Sequence, residues 1–406
     1  MPLDIRPITD AEVPAWIETM RVGFLGHAAD GEAEFRRPHL DLSRTLGAFE
    51  GEQVVGTLRS FTTAMSVPGG RVSCAALTNV TVSPTHRRRG LLTSMITRDL
   101  AESVERGEAI GSLIAAEYPI YGRFGYGAAV ETQDFEISTP IALRERPDAG
   151  SVSFVTGVEL RSLAPAIYEA VAATVPGAID RPDHLWDLHL GIVDWPGRPQ
   201  KPGRFFVLGR NADGTPDGFA VYHVEDHWDR GRPRGILHLE ELLAVDTPAL
   251  TRLWRFCLEV DWISTVKAEF QSVDNLLHWL VVDAREVVPV ERGDLEWVRI
   301  LDTEVALAAR RYLSPGTITV TVDDPFGHAA GTFALDGGPD GAECHRTTTS
   351  ADLALPVDVL SSAYLGGVPL TTLHRAGLVD ELTSGAVARA DAMFRSPIAP
   401  ACLTTY

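Results

Sequence analysis

Four consecutive residues, Arg87, Arg88, Arg89 and Gly90, join three cationic side chains to a residue that lets the backbone come close to a ligand. Just before them, Asn79-Val80-Thr81-Val82 is β-branched enough for a strand, and Ser83-Pro84-Thr85 is turn chemistry that ends it. Just after them, Leu92, Ile96, Leu100 and Val104, with Met95 beside them, recur at helical spacing as far as Gly107. A strand therefore runs through a short basic turn into a helix N-terminus. Its unpaired N–H groups and partial positive charge suit a phosphate or pyrophosphate, to which the arginines can add charge-assisted contacts. Taken alone, three arginines in a row also fit a solvated turn, because runs of like charge usually face water.

A second string, from Glu117 to Gly127, holds three tyrosines. A phenol with an ordinary pKa of about 10 stays protonated at neutral pH and can donate to a leaving group. By residue type Tyr118, Tyr121 and Tyr126 are rivals for that work, and a tyrosine simply packed in a loop is the plain alternative. His184 and His189 are five residues apart, off the spacing that sets two ligands on one helix face, so they are expected as packing or surface residues. Cys74, Cys257, Cys344 and Cys402 are scattered without CxxC spacing, so no metal site and no disulfide framework is expected.

The elements that must position these residues follow from periodicity. Residues 3–8 read as a first strand, and Asp10 is expected to cap a helix carrying Val13, Trp16, Ile17, Met20 and Phe24. Residues 45–49 and 53–63 read as a hairpin across Glu50-Gly51-Glu52. Residues 110–116 form a short apolar strand, so residues 72–116 make one strand-helix-strand unit, and a crossover of that length joins parallel neighbours. The two chemistry-bearing strings flank this unit and can address one ligand. Residues 144–150 read as a linker. A second α/β region follows, with a helical pattern at Leu163, Ile167, Val171 and Val175, strands at residues 205–208, 219–224 and 236–243, and helical spacing from Leu250 to Val260, but no second arginine-glycine turn. From about Arg299 the pattern changes to α+β: a helix at 305–312, strands at 317–322 and 331–335, and helices at 357–364 and 386–394.

At 406 residues the chain is long enough for two or three domains. A net charge of −19 disfavours nucleic acid as a partner and favours cationic ligands wherever an acidic cleft forms. No secretory start and no uncharged run of membrane-spanning length is present, so the expected place of action is the cytoplasm, away from the membrane.

Arg87-x-x-Gly90 after a strand resembles the pyrophosphate loop of the GNAT acetyltransferases, usually Arg or Gln-x-x-Gly-x-Gly or Ala, from which Leu92 departs. The longer string SPTHRRRGLL is similar to the Eis (enhanced intracellular survival) branch, where leucine is ordinary at this place. IYGRFGYG, the IYE and VPG before RPDHLWD, a late YLGG and an aromatic last residue extend the resemblance essentially end to end. It implies a GNAT fold for residues 1–147, a second GNAT-like α/β domain for 148–298 and a sterol-carrier-like α+β domain for 299–406. It implies an acetyl-CoA-dependent N-acetyltransferase acting on primary amines, such as aminoglycosides, other polyamines or lysine side chains of peptides, and assembled as a hexamer, usually a dimer of trimers.

By the same resemblance, the cosubstrate contacts fall on the backbone of Val80, Thr81 and Val82, on Arg88, Arg89, Gly90, Leu91, Leu92 and Thr93 at the phosphates, and on Ala116 and Glu117. Tyr121 matches the family's general acid, and the base is the chain's own terminal carboxylate, here that of Tyr406. Relatives commonly end in phenylalanine preceded by an acidic residue, whereas this chain ends Leu403-Thr404-Thr405-Tyr406; Asp30, Glu32 and Glu34 are the acids expected to compensate. Two other readings compete: a lipid or hydrophobe carrier built on the last domain with the acetyltransferase half as scaffold, and nucleophilic catalysis by Cys74 or Cys402, for which no histidine stands at a convincing spacing.

Overall fold

The structure is a computed structural model describing residues 3–144, 148–197 and 203–406. The first stretch contains β1 (Leu3–Pro7), α1 (Val13–Gly23), α2 (Glu32–Arg36), β2 (Thr45–Glu50), β3 (Gln53–Val67), β4 (Gly70–Val82), α3 (Leu91–Glu105), β5 (Ile110–Ile114), β6 (Gly127–Ala128) and β7 (Glu131–Ser138). Then come β8 (Ser151–Val155), α4 (Gly157–Ala172), α5 (Asp183–His189), β9 (Phe205–Arg210), β10 (Pro216–Glu225), β11 (Trp228–Asp229), β12 (Arg232–Pro233), β13 (Gly235–Ala244), α6 (Thr247–Leu258), β14 (Ile263–Ser272), α7 (Leu277–Leu280), β15 (Val287–Asp294) and β16 (Glu296–Ile300). The last stretch holds α8 (Thr303–Ala308), β17 (Gly316–Asp323), β18 (Gly331–Gly338), β19 (Gly341–Arg346), β20 (Leu353–Pro356), α9 (Val357–Ala363), α10 (Leu370–Arg375), β21 (Asp380–Glu381) and α11 (Ala386–Phe394).

Among the described residues these strands form three large sheets and one two-stranded ribbon, β11-β12. The first runs β1-β2-β3-β4-β5-β16-β6, the second β15-β7-β14-β13-β10-β9-β8, and the third β19-β18-β17-β20-β21. Sheet membership does not follow chain order. Strand β7 crosses into the second sheet, and β16 returns to the first, where it pairs antiparallel with β5 and β6. The cause is burial: all five residues of β16 are buried, Glu296 and Arg299 among them, and only an interior position hides both faces of a strand. The expected linker falls partly on residues 145–147, which lie outside the described residues.

In the first sheet, β4 and β5 pair in parallel across α3, and β13 and β14 repeat this arrangement across α6 in the second. Helix α1 is preceded by a turn capped not by Asp10 but by Thr9, whose N–H and hydroxyl donate to Glu12. Val13, Trp16, Ile17 and Met20 are buried as their spacing demands, while Phe24 follows the helix end and is exposed. Residues 309–312 leave the expected helix after α8 because Tyr312 turns into the third core, its hydroxyl donating to the Leu307 carbonyl.

The third sheet packs on the back of the first, and one apolar cluster runs from Met65, Val72 and Cys74 through Val298 and Ile300 to Phe333, Tyr364 and Phe394. Arg299 on β16 reaches across this junction to Asp324 with two hydrogen bonds of 2.8 Å, both side chains fully buried. Beyond α11 the chain runs back without regular structure. Ala399 N–H donates to Asp274 (2.7 Å) and Ala401 N–H to the Pro176 carbonyl (2.9 Å). The tail passes so near Gly177, whose φ is +92°, that a Cβ there would meet the Ala401 oxygen at 3.1 Å.

Candidate active site

Strands β4 and β5 pair only from Cys74 with Ile110 to Leu77 with Leu113. Beyond that point β4 continues to Val82 with β3 on one edge and, among the described residues, no strand on the other, so the two strands splay. Asn79 makes the parting possible: it adopts φ +55° where the β3–β4 register slips, and its carbonyl accepts from Thr57 at 2.8 Å. Unpaired N–H and C=O groups along Val80–Val82 are a template for an extended amide chain. The Thr81 side chain is buried against Gly23 of α1 and its backbone pairs with Thr57 of β3, so the outward-facing groups are those of its neighbours Val80 and Val82.

The turn into α3 has the geometry an anion requires. Gly90 is its N-cap with φ +81° and open space where a Cβ would stand, and Arg88 is also left-handed at +63°. The N–H groups of Leu91, Leu92 and Thr93 lie in the first helical turn, where no intrahelical acceptor exists. Arg88, Arg89 and Thr93 are exposed, whereas Leu91 is buried and anchors the helix. Glu50 braces the turn from β2, 3.2 Å from Arg89 and 3.3 Å from His86. These groups fit the pantetheine arm and pyrophosphate of acetyl-CoA. Ala116 and Glu117 are exposed just past the end of β5.

The three tyrosines separate by environment. Tyr118 is 64% exposed and lies edge-on to Trp297. Tyr126 is fully buried against Gly111. Tyr121 lies between these extremes at 9% exposure, in the cluster with Leu77, Leu91 and Leu113, and burial followed by the Glu117 carboxylate pushes its pKa up to about 12. It holds its proton throughout the neutral range.

Tyr406 arrives from the opposite side. Its hydroxyl is 2.7 Å from Ser112 of β5 and its ring stands edge-on to Phe61 of β3, 5.5 Å between centroids. Ser112 and Leu113 are neighbours on a strand and point to opposite faces. Tyr121 and Tyr406 therefore flank the sheet from its two sides, at the level where β4 and β5 part.

Upstream of Tyr406 the tail is clamped. Arg181 donates to the Leu403 carbonyl, to the Thr404 hydroxyl (2.9 Å) and to Glu241 (2.8 Å), and lies over the rings of Tyr168 and Trp186. The Tyr168 hydroxyl is 2.7 Å from that of Thr404. Residues 401–405 form one wall of a cleft of about 1090 Å³ whose other walls come from the second domain. Asp194, Glu240, Glu241, Glu269 and Asp274 line it against Arg181 and Arg204, so the balance of fixed charge is negative.

Other residues weighed from the sequence have structural roles. Glu32 is buried, and Arg21 and Arg36 bind it at 2.5 and 2.8 Å, so it is a packing carboxylate and not a compensating one. His184 stacks on His39, and His189 lies 2.7 Å from Glu241. Cys74 donates to Ser112 and Cys402 to the Thr404 carbonyl, and burial raises both thiols, which opposes a nucleophilic role. The carrier reading loses support as well: the third domain's interior is filled by Tyr312, Phe333, Tyr364, Met393 and Phe394, and that domain gives the large cleft only its tail, between Ile398 and Thr405.

An acetyltransferase (GNAT) domain matches residues 4–129, a second one matches 177–300, and a sterol carrier protein domain matches 303–403. N-acetyltransferase Eis of Mycobacterium tuberculosis is 34% identical over 360 residues, 87% of this chain and 86% of that protein. The chain belongs to the Eis family of GNAT N-acetyltransferases. An uncharacterized N-acetyltransferase of Streptomyces griseus is 39% identical over 99% of both chains. Among solved structures, Eis1 from Mycobacterium abscessus superposes with a TM-score of 0.88 at 32% identity, covering 99% of this chain and all of that one. As an Eis-type enzyme the protein is an N-acetyltransferase, and the GNAT fold implies acetyl-CoA as its cosubstrate.

Within this Eis architecture the residues that sequence reasoning missed are those that hold the tail: Arg181, Tyr168, Glu241, Ser112 and Glu296. Arg181 opens the RPDHLWD string, which the sequence offered only as a family marker. The one local hint for Glu296 is a lone acid in the apolar run Leu295-Glu296-Trp297-Val298.

Proposed function

We propose that the enzyme acetylates primary amines of cationic small molecules, aminoglycosides and other polyamines before lysine side chains of peptides, with Tyr121 as general acid and the terminal carboxylate of Tyr406 as base. The observation carrying this reading is the seating of the last residue on β5, beside the gap between β4 and β5. Acetyl-CoA lies along Val80, Thr81 and Val82 with its pyrophosphate at Arg88, Arg89, Gly90, Leu91, Leu92 and Thr93, and passes Ala116 and Glu117. The amine nitrogen attacks the thioester carbon, a C–N bond forms and the C–S bond breaks. The nitrogen's proton passes to the terminal carboxylate, directly or through water, and the thiolate takes the Tyr121 proton. A backbone N–H on the open edge of β4 polarises the thioester oxygen. The acidic cleft that ends at Thr405 attracts the cationic amine, and assembly as a hexamer belongs to the same reading.

The test is release of the coenzyme A thiol with an aminoglycoside, a linear polyamine and a lysine peptide as acceptors. Turnover with the first two and its loss when one glycine is added after Tyr406, with acetyl-CoA binding retained, is the expected result. Undiminished turnover by the extended chain removes the terminal carboxylate from the mechanism.

A further inference from the structure

Glu296 sits on β16, in the interior of the first sheet, with its side chain enclosed. No arginine, lysine or histidine is within ion-pair distance of it among the described residues. The Tyr406 hydroxyl donates to its Oε1 at 3.4 Å, and that same hydroxyl is 2.7 Å from Ser112. Its Oε2 has no hydrogen-bond partner among the described residues. A buried carboxyl without a cation costs stability, and its strand neighbours Val298 and Ile300 show that an apolar side chain suits this layer. What the carboxyl does hold is the end of the chain.

We infer that Glu296 and Ser112 are positioning residues for catalysis: they fix the phenol of Tyr406, and the phenol fixes where the terminal carboxylate stands. The inference rests on the assignment of that carboxylate as the base. Termini fray unless tied down. Arg181 ties Leu403 and Thr404, but the last residue is held through its ring, by Phe61 along the edge and by two polar groups at the hydroxyl. Ser112 lies one residue short of the point where β4 and β5 part, so the hydroxyl anchor sets how far the tail reaches toward the gap.

This seat is sensitive to pH. Burial pushes Glu296 up to about 8, opposed by the hydrogen bonds of Tyr406 and Ser112. The other titratable groups around it are Cys74 on β4 and Cys402 and Tyr406 on the tail, all raised by burial. At neutral pH Glu296 is a neutral acid. Its folded state binds the proton more tightly than the unfolded chain, so stability is full below the ordinary carboxylate range and falls as pH rises through about 8.

The experiment measures how fast carboxypeptidase A releases residue 406 from the full folded chain, alongside kcat and KM for acetyl-CoA and a polyamine. Tyr406→Phe and Ser112→Ala are expected to speed release about fivefold to tenfold at pH 7, the effect of about one hydrogen bond. Wild-type release should quicken between pH 7 and 9, because the ionised carboxyl gains more from the water admitted when the tail lifts than it loses with the Tyr406 hydrogen bond, and Glu296→Gln, neutral at every pH, should abolish that rise. Tyr406→Phe changes only the chain end, so it decides the matter even if a Glu296 variant fails to fold. Release from Tyr406→Phe at the wild-type rate at both pH values overturns the inference. Faster release with unchanged kcat keeps the positioning and removes the terminal carboxylate as base, whereas a lower kcat with unchanged release does the reverse.

Discussion

Tyr121 and Tyr406 are both phenols near one sheet, yet their surroundings differ, and the proposed mechanism gives them different work. Tyr121 meets apolar side chains and the Glu117 carboxylate, so its proton is retained until about pH 12. The hydroxyl of Tyr406 is taken up by Ser112 and Glu296, and the proposed mechanism uses its main-chain carboxylate instead. Tyr121→Phe keeps the ring and removes the donor. It is expected to lower kcat about 10²-fold or more, the range for a lost general acid, with KM for acetyl-CoA nearly unchanged. Steady-state kinetics over pH 6–10 checks this, and any alkaline loss of wild-type activity near pH 8 should persist in the Phe variant, because Tyr121 does not titrate there. The choice among Tyr118, Tyr121 and Tyr126 was not legible from residue type. It depends on which ring is exposed, which is enclosed and which stands between, and that is decided by contacts with Trp297, Gly111 and Leu113.

At the scale of elements, the junction from β4 into α3 was the most legible part of the chain, because every signal in it is local. A β-branched strand, a Ser-Pro stop, a glycine at the helix start and apolar residues at helical spacing act within about 30 residues. The left-handed Gly90 gives a direct test. Gly90→Val places a branched side chain at φ +81°, which costs about 1–2 kcal/mol. Since nothing lies within 4 Å of the added Cβ, that cost is conformational and not steric. The expected outcome is a drop in melting temperature together with a severalfold rise in KM for acetyl-CoA as the first-turn N–H groups are misaligned, while kcat at saturation changes little. Calorimetry and saturation kinetics read the two effects separately. The splay itself was not legible: it depends on Asn79 leaving the register and on where the β5 pairing stops, both products of long-range pairing. The return of β16 to the first sheet was hidden for the same reason, since a five-residue strand does not announce which sheet will bury it.

The three domains act as one molecule because the last strand of the first sheet, the third sheet and the tail are tied at a single junction. Arg299 and Asp324 lie at its centre, where the shared apolar cluster excludes water from both. Burial alone raises the pKa of Asp324. The hydrogen bonds and charge of Arg299 and the N–H groups of Ala329 and Phe326 outweigh that, and the net shift is downward. The carboxylate's folded pKa is thus depressed, so its contribution is in place above the ordinary carboxylate range and is lost only as pH falls through the lowered value. At pH 7, removing one partner leaves a buried charge unpaired. Asp324→Ala should cost about 3–5 kcal/mol, read as a lower urea midpoint. The double change Arg299→Met with Asp324→Leu should recover much of that loss, since no charge is then stranded. Activity should follow docking: a third domain loosened in Asp324→Ala no longer delivers Tyr406 to β5, so turnover should fall even where acetyl-CoA binding, which the proposed mechanism assigns to β4 and α3, is kept. Recovery of stability without recovery of turnover in the double variant would show that packing at this junction, and not the ion pair alone, sets the reach of the tail.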